Sequence, residues 1–291
     1  MHLPATGIST PFQIGIKPLD ANEWIDVDDQ LADYLAEKAR LIVDHPDETF
    51  AAEAGTEDAQ AEVLALLAGY LPERFPQFYR RQGGTIEILP NGKRLLLDRL
   101  PALRTAAQLV QEDLVLMRKG KPGWRLVAAS LSFPSSWRLA DKFGRPMHEV
   151  HGPVPGFNEG TRNAGMIERM FDHLRPEMPV IRWNWSLFSD AALYHPEASH
   201  PVGPRFGANA ENAVLRIERQ TLRRLPLSGD IVFTIRIYVD PLSALGRHPE
   251  GPDIAKALIG QLNAMSEEQA AYKGLAAERE RLIARLEELA I

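Results

Sequence analysis

The strongest pattern in the chain is a two-residue alternation of apolar and polar positions near its end. Ile231, Phe233, Ile235, Ile237 and Val239 share one side of an extended segment, and Val214 to Leu222 precedes it across Pro226-Leu227-Ser228-Gly229-Asp230. That period predicts an antiparallel hairpin with a buried face. Val180 to Phe188 and Trp124 to Phe133 read as further strands, and Thr85 to Leu89 and Arg94 to Asp98 form a second hairpin around Pro90-Asn91-Gly92. An Asn-Gly pair tolerates the positive φ of such a turn. Three- and four-residue spacing marks helices instead. Leu31, Tyr34, Leu35, Ala39 and Ile42 form one stripe, and Val63, Leu64, Leu66, Leu67 and Leu71 form another. Asp44 to Thr56 reads as a helix end and acidic loop between them, and Pro72 and Pro76 punctuate the chain after them. Ala102 to Met117 is expected to be a helix, as are Glu159 to Leu174 and Ile254 to Leu289, the last broken near Ser266.

A helical part over 20–72, a strand-rich part over 84–240 interrupted by one helix, and C-terminal helices over 254–290 give an α+β class, not alternating βαβ units. No internal repeat or glycine-rich phosphate loop is visible. The longest apolar stretch, around Val63 to Leu71, falls well short of the roughly 20 residues that span a bilayer. Met1 to Phe12 carries neither the basic nor the apolar region of a signal peptide, so a cytoplasmic protein without membrane contact is expected.

Composition sharpens this by exclusion. The 291 residues include no cysteine, which removes disulfides, thiolate zinc sites, iron–sulfur clusters, thiolate haem ligands and cysteine nucleophiles. A net charge of −6 argues against a nucleic-acid partner.

Three segments concentrate candidate chemistry. In Met147 to Phe157, His148 and His151 stand three apart, which is wrong for a zinc-protease helix, and Pro153 and Pro155 forbid a regular helix. His151 then sits at the mouth of a stiff Gly-Pro-Val-Pro-Gly loop, either as an ordinary histidine bonded to a backbone carbonyl or as a ligand held in place. In Val180 to Phe188, Trp183, Trp185 and Leu187 share one face and Arg182, Asn184 and Ser186 the other. The tryptophans are core packing or the wall of a flat cofactor, with Arg182 and Asn184 as polar contacts. His195 is a second ligand candidate. In Leu215 to Arg224, alternation puts Arg219 on the otherwise apolar face, where it must pair with an internal carboxylate or grip an anionic ligand.

The stretch LRIERQTLRRLPLSGDIVFTIRIYVDPL resembles the haem-dependent oxidative N-demethylase α-subunit-like family. RWNWSLFSD, HEVHGPVPGF, QEDLVLM, LSFPSSWRLADKFGRPM and PFQIGIKPLDANEWIDVDD are similar to its pattern too, so the resemblance covers roughly residues 11 to 242. It implies a single PAS-like antiparallel sheet domain over 1–291, with flanking helices, that binds haem b. It also implies demethylation of a small secondary amine of the dimethylamine type by O₂, with electrons from a separate flavin and iron–sulfur reductase. On this reading His151 ligates the haem iron, and Arg182, Arg219 and Arg224 meet the propionates. Glu218 and Asp190 are the candidate acids, and Trp183, Trp185 and Tyr194 shape the amine pocket. A haem-based PAS sensor or a non-catalytic haem-binding subunit is the alternative. No appended output module is visible after Val239, which favours the enzyme.

Overall fold

A computed structural model describes residues 12, 14–157, 159–197 and 204–291. The segment read as lacking a signal sequence, apart from Phe12, lies outside the described residues. The elements run β1 (Lys17–Pro18), α1 (Leu31–Asp44), α2 (Pro46–Thr49), β2 (Phe50–Ala52), α3 (Glu57–Arg74), β3 (Tyr79–Gln82), β4 (Thr85–Ile88), β5 (Lys93–Leu96), α4 (Ala102–Ala107), β6 (Asp113–Gly120) and β7 (Gly123–Ser130). They continue with α5 (Leu139–Lys142), α6 (Met147–Val150), α7 (Arg162–His173), β8 (Val180–Phe188), β9 (Val214–Arg224), β10 (Ile231–Pro241), α8 (Gly251–Ala264), α9 (Glu267–Tyr272) and α10 (Arg279–Leu289).

The fold is α+β around a seven-stranded antiparallel sheet in the order β1-β8-β9-β10-β6-β7-β2, with a separate three-stranded sheet β3-β4-β5. The predicted hairpin is its centre: β9 and β10 pair over their whole length, from Ile231 opposite Arg224 to Pro241 opposite Val214. β8 pairs along the other side of β9, setting Arg182 opposite Gln220 and Asn184 opposite Glu218. This register decides the site, because it collects those four polar side chains on one face. One sheet face carries Trp185, Leu187, Leu215 and Ile217 under α8 and α10, while α3 and α4 pack with Leu114, Leu116 and Val232. The opposite face, with Val115, Met117, Leu222 and Ile235, packs under α7 and the segment before it.

Four sequence expectations need correction. The stretch Ala102 to Met117 is a helix only as far as Ala107 and then becomes strand β6. Leu114, Val115, Leu116 and Met117 are all buried, because β6 is an internal strand covered on both faces. Such a strand has no polar side to reveal its period. Asp44 to Thr56 is not only a loop: it holds α2 and β2, and β2 pairs with β7 from Phe50 opposite Ser130. A three-residue strand is too short to show alternation. Pro72 does not stop α3, which runs to Arg74. The first hairpin gains a third strand, Tyr79 to Gln82, paired with β4.

The break near Ser266 is present, with Ser266 and Gln269 forming a reciprocal cap on α9. A second break follows between Tyr272 and Arg279. Among the described residues no helix is long and apolar enough to cross a membrane.

Candidate functional site

A cavity of about 250 Å³ opens on the face of the sheet that carries Arg182, Asn184, Glu218 and Gln220. Its floor is β8, β9, β10, β6 and β7; its sides are the residues around α5, α6 and α7, the N-terminal Phe12, Ile14 and Ile16, and Tyr272 and Lys273 from the C-terminal helices. Most of the lining is apolar, with aromatic surface from Phe133, Trp137, Phe157, Phe171 and Phe233.

His151 lines this cavity at the C-terminal end of α6. The chain turns sharply after it: Val154 N–H donates to the His151 carbonyl at 2.8 Å and Phe157 N–H to that of Val154 at 3.1 Å. Gly156 closes the loop at φ +81°, a region that favours a residue without Cβ. The imidazole Nδ1 lies 3.2 Å from the Met147 carbonyl oxygen. A carbonyl can only accept, so Nδ1 carries the proton and Nε2 keeps a free lone pair. Burial, with the charges of Lys142 and Arg182 beside it, pushes the His151 pKa down to about 4. The ring is therefore neutral at physiological pH, the state in which imidazole binds a metal.

Glu218 is buried, at 8% exposure, on the floor. Its Oε2 accepts from Gln220 Nε2 at 2.6 Å and Asn184 Nδ2 at 3.3 Å. Burial alone would raise its pKa, but the Ser135 hydroxyl, the Arg216 charge, Asn184 and the Lys273 charge together hold it below the ordinary carboxylate value. Glu218 is thus an anion near neutrality. Arg216 sits behind it, donating to Ser135 Oγ at 2.9 Å and to the carbonyls of Phe133 at 2.9 Å and Leu193 at 3.1 Å. It fixes the Phe133–Ser135 turn, and the same turn is held from below by Asp113, which accepts from the Ser132 and Phe133 amides at 2.8 Å each.

Of the sequence candidates, the structure brings together His151, Arg182, Asn184 and Glu218. The others stand elsewhere. Trp183 and Trp185 belong to the opposite sheet face, where Trp185 Nε1 donates to Gln261 Oε1 at 2.7 Å and Trp183 packs 6.2 Å from the Tyr238 ring. The period that put Arg182 and Asn184 into the cavity necessarily took the tryptophans out of it. Arg219, on that same face, donates to the backbone carbonyls of Glu23 and Trp24, and its charge acts on the buried Glu112 carboxylate. Arg224 reaches the carbonyls of Asp172 and Leu174 at 3.4 Å. Tyr194 gives its hydroxyl to Glu48 at 2.6 Å, outside the cavity. Asp190 is exposed and caps the Ala192 amide at 2.9 Å. His195 stacks 4.4 Å from Phe188 with Asp190 Oδ1 3.2 Å from its Nε2, and is not part of the lining.

Sequence reasoning missed Ser135, Gln220, Lys142 and Lys273 as cavity residues. Gln220 was readable, since it shares Glu218's face of β9. Lys142 and Lys273 come from unrelated helical segments, and no local spacing marks them.

The lining suits a flat apolar ligand that needs one protein nitrogen. Among the described residues no group of three or more His, Asp or Glu side chains could hold a bare metal ion. A neutral His151 with its second nitrogen already oriented by a carbonyl has the donor arrangement of a haem ligand. Arg182 Nε is buried without a hydrogen-bond partner among the described residues, a feature it shares with Arg104, Arg205, Arg223 and Arg236, but Arg182 alone of these lines the cavity. In a comparison against known families, a family model matches residues 15–283. The chain belongs to the haem-dependent oxidative N-demethylase, alpha subunit-like family.

Proposed function

We propose that this chain is a haem-dependent oxidative N-demethylase acting on a small secondary amine of the dimethylamine type. The balanced reaction consumes the amine, O₂, two electrons and two protons, and yields the primary amine, formaldehyde and water. When bound, haem b supplies the reduction of O₂ and the oxidation of the methyl group. On this reading the large sheet is PAS-like, the chain is one haem-binding unit working in the cytoplasm, and a separate flavin and iron–sulfur reductase provides the electrons. A chain without cysteine leaves any such cluster to another polypeptide.

The protein's own groups have distinct tasks. His151 offers Nε2 to the iron, and the Met147 carbonyl keeps the ring from turning. Glu218 is held as an anion by its donors. A carboxylate at the floor of an apolar cavity attracts an alkylammonium and accepts its N–H. This revises the role of Glu218 from proton donor to ammonium partner, because a carboxyl held below its ordinary pKa has no proton left to give at pH 7. Phe133, Phe157 and Phe171 replace the expected Trp183, Trp185 and Tyr194 as the aromatic surface, excluding water and facing the alkyl groups.

The observation that carries the reading is the neutral, carbonyl-oriented His151 in an apolar cavity. Absorption spectroscopy of the reconstituted protein tests it. His151→Ala should lose the Soret band of a histidine-ligated haem, and the wild type should release formaldehyde from dimethylamine when given reductant and O₂. An unchanged spectrum in the variant would exclude His151 as ligand. A red wild type that releases no formaldehyde from any small amine would sink the enzymatic reading and leave the sensor.

A further inference from the structure

Three cations line the cavity, Lys142, Arg182 and Lys273, against the single carboxylate of Glu218. Glu218 already accepts from Gln220, Asn184 and Ser135. The wall is therefore left with two positive charges in excess. Uncompensated charge in a protein interior is costly, so such an excess calls for an anion from outside the chain.

Each cation carries a sign of that cost. Lys142 Nζ lies 4.1 Å over the Trp137 ring and Lys273 Nζ donates to the Trp185 carbonyl at 2.6 Å, so neither is ion-paired among the described residues. Burial, despite the nearby Glu218, pushes both amines down to about 8. Arg182 Nε has no acceptor. The three come from α5, β8 and the segment after α9, elements far apart in the chain that meet at this cavity. A structural ion network would have carried its own carboxylates.

We infer that Lys142, Arg182 and Lys273 form one anion-receiving edge that takes two carboxylates of a single ligand, the propionates of haem b, with Lys142 and Lys273 as contacts beyond the arginine. The inference rests on the haem reading of the cavity. A dianion matches the excess charge, whereas a monoanion leaves one cation unmatched. The flat apolar remainder of the lining suits the macrocycle between them.

The test titrates the full-length apoprotein with haemin and, separately, with haemin dimethyl ester, which keeps the iron and the ring but has no carboxylates. The variants are Lys142→Gln, Lys273→Gln and their combination. Each single substitution is expected to weaken haemin binding about tenfold and the pair about a hundredfold, the scale of a charge-assisted hydrogen bond. The ester should bind all four proteins alike, which also shows that the variants fold, and Lys142→Arg and Lys273→Arg should bind haemin like the wild type. Haemin affinity unchanged by the substitutions, or ester affinity falling in parallel with it, overturns the inference while haem binding by the wild type stands. Wild-type protein that takes up neither compound overturns the haem reading and this inference together.

Discussion

The two faces of the β8–β9 pair use the same residue types for opposite ends. On the helix side, Arg219 is spent on the carbonyls of Glu23 and Trp24, and Trp185 on Gln261. On the cavity side, Arg182 has a buried nitrogen with no acceptor, and Lys142 faces an aromatic ring. An arginine on a strand is thus not informative by its type. A bare nitrogen does not separate the faces, since Arg223 Nε on the helix side has no acceptor either and its guanidinium lies 4.8 Å over the Trp24 ring. What separates them is that Arg182 shares a cavity with Lys142, Lys273 and one carboxylate.

The contrast is open to attack by mutation. The largest effect should come from Trp185→Ala, which empties a fully packed position between the sheet and α8 and should cost about 3–5 kcal/mol of stability. Urea unfolding measures it. Haem affinity of the protein that stays folded should fall by less than the roughly tenfold expected of Lys273→Gln, because Trp185 meets the cavity only through Lys273, whose Nζ lies 5.1 Å over its ring. A larger loss would show that the two faces are not separate.

A paired comparison of the arginines is next in size. Arg219→Met strands two carbonyls and should destabilise by about 1–3 kcal/mol, with haemin affinity intact. Arg182→Met should leave the stability of the apoprotein nearly unchanged and weaken haemin binding about tenfold. If both variants lost stability alike, Arg182 would be a structural residue and its orphaned nitrogen would mean nothing.

A third line of attack is pH. Both cavity lysines sit near 8 in the folded protein and near 10.5 once unfolded. Below pH 8 both states are protonated and the folded apoprotein bears the full cost of burying charge. Between about 8 and 10.5 the unfolded chain holds the protons and the folded one does not, so stability rises with pH. A Lys142→Met, Lys273→Met double variant lacks this term. The stability advantage of that variant over the wild-type apoprotein should therefore shrink between pH 7.5 and 10, and a constant difference would place both amines in water.

The sequence was legible where one face met an interior of different polarity. In β8 and β9 the alternation separated Arg182, Asn184, Glu218 and Gln220 from Trp183, Trp185, Ile217 and Arg219, and the register confirms that division. It could not say which face opens into a cavity, and the structure puts Trp183 and Trp185 on the face away from it. β6 failed for the opposite reason: with both faces buried, Leu114 to Met117 has no period to read. His151 was marked by the prolines after it, which shape the loop locally. Asp190 and Tyr194 lay close in sequence to good candidates, but Phe188 ends the strand and the chain leaves the cavity beyond it. Lys142 and Lys273 depend wholly on tertiary approach, for which a single sequence holds no local signal.

The cavity's wall joins distant parts of the chain. Phe12 lies 5.9 Å from Tyr272, edge to face, and Lys273 Nζ lies 5.7 Å from the Phe12 ring, although some 260 residues separate them. During synthesis the sheet floor and the His151 loop can form before this corner exists, because Tyr272 and Lys273 emerge from the ribosome after all ten strands. The pocket's corner therefore closes only after the strands of its floor have been made.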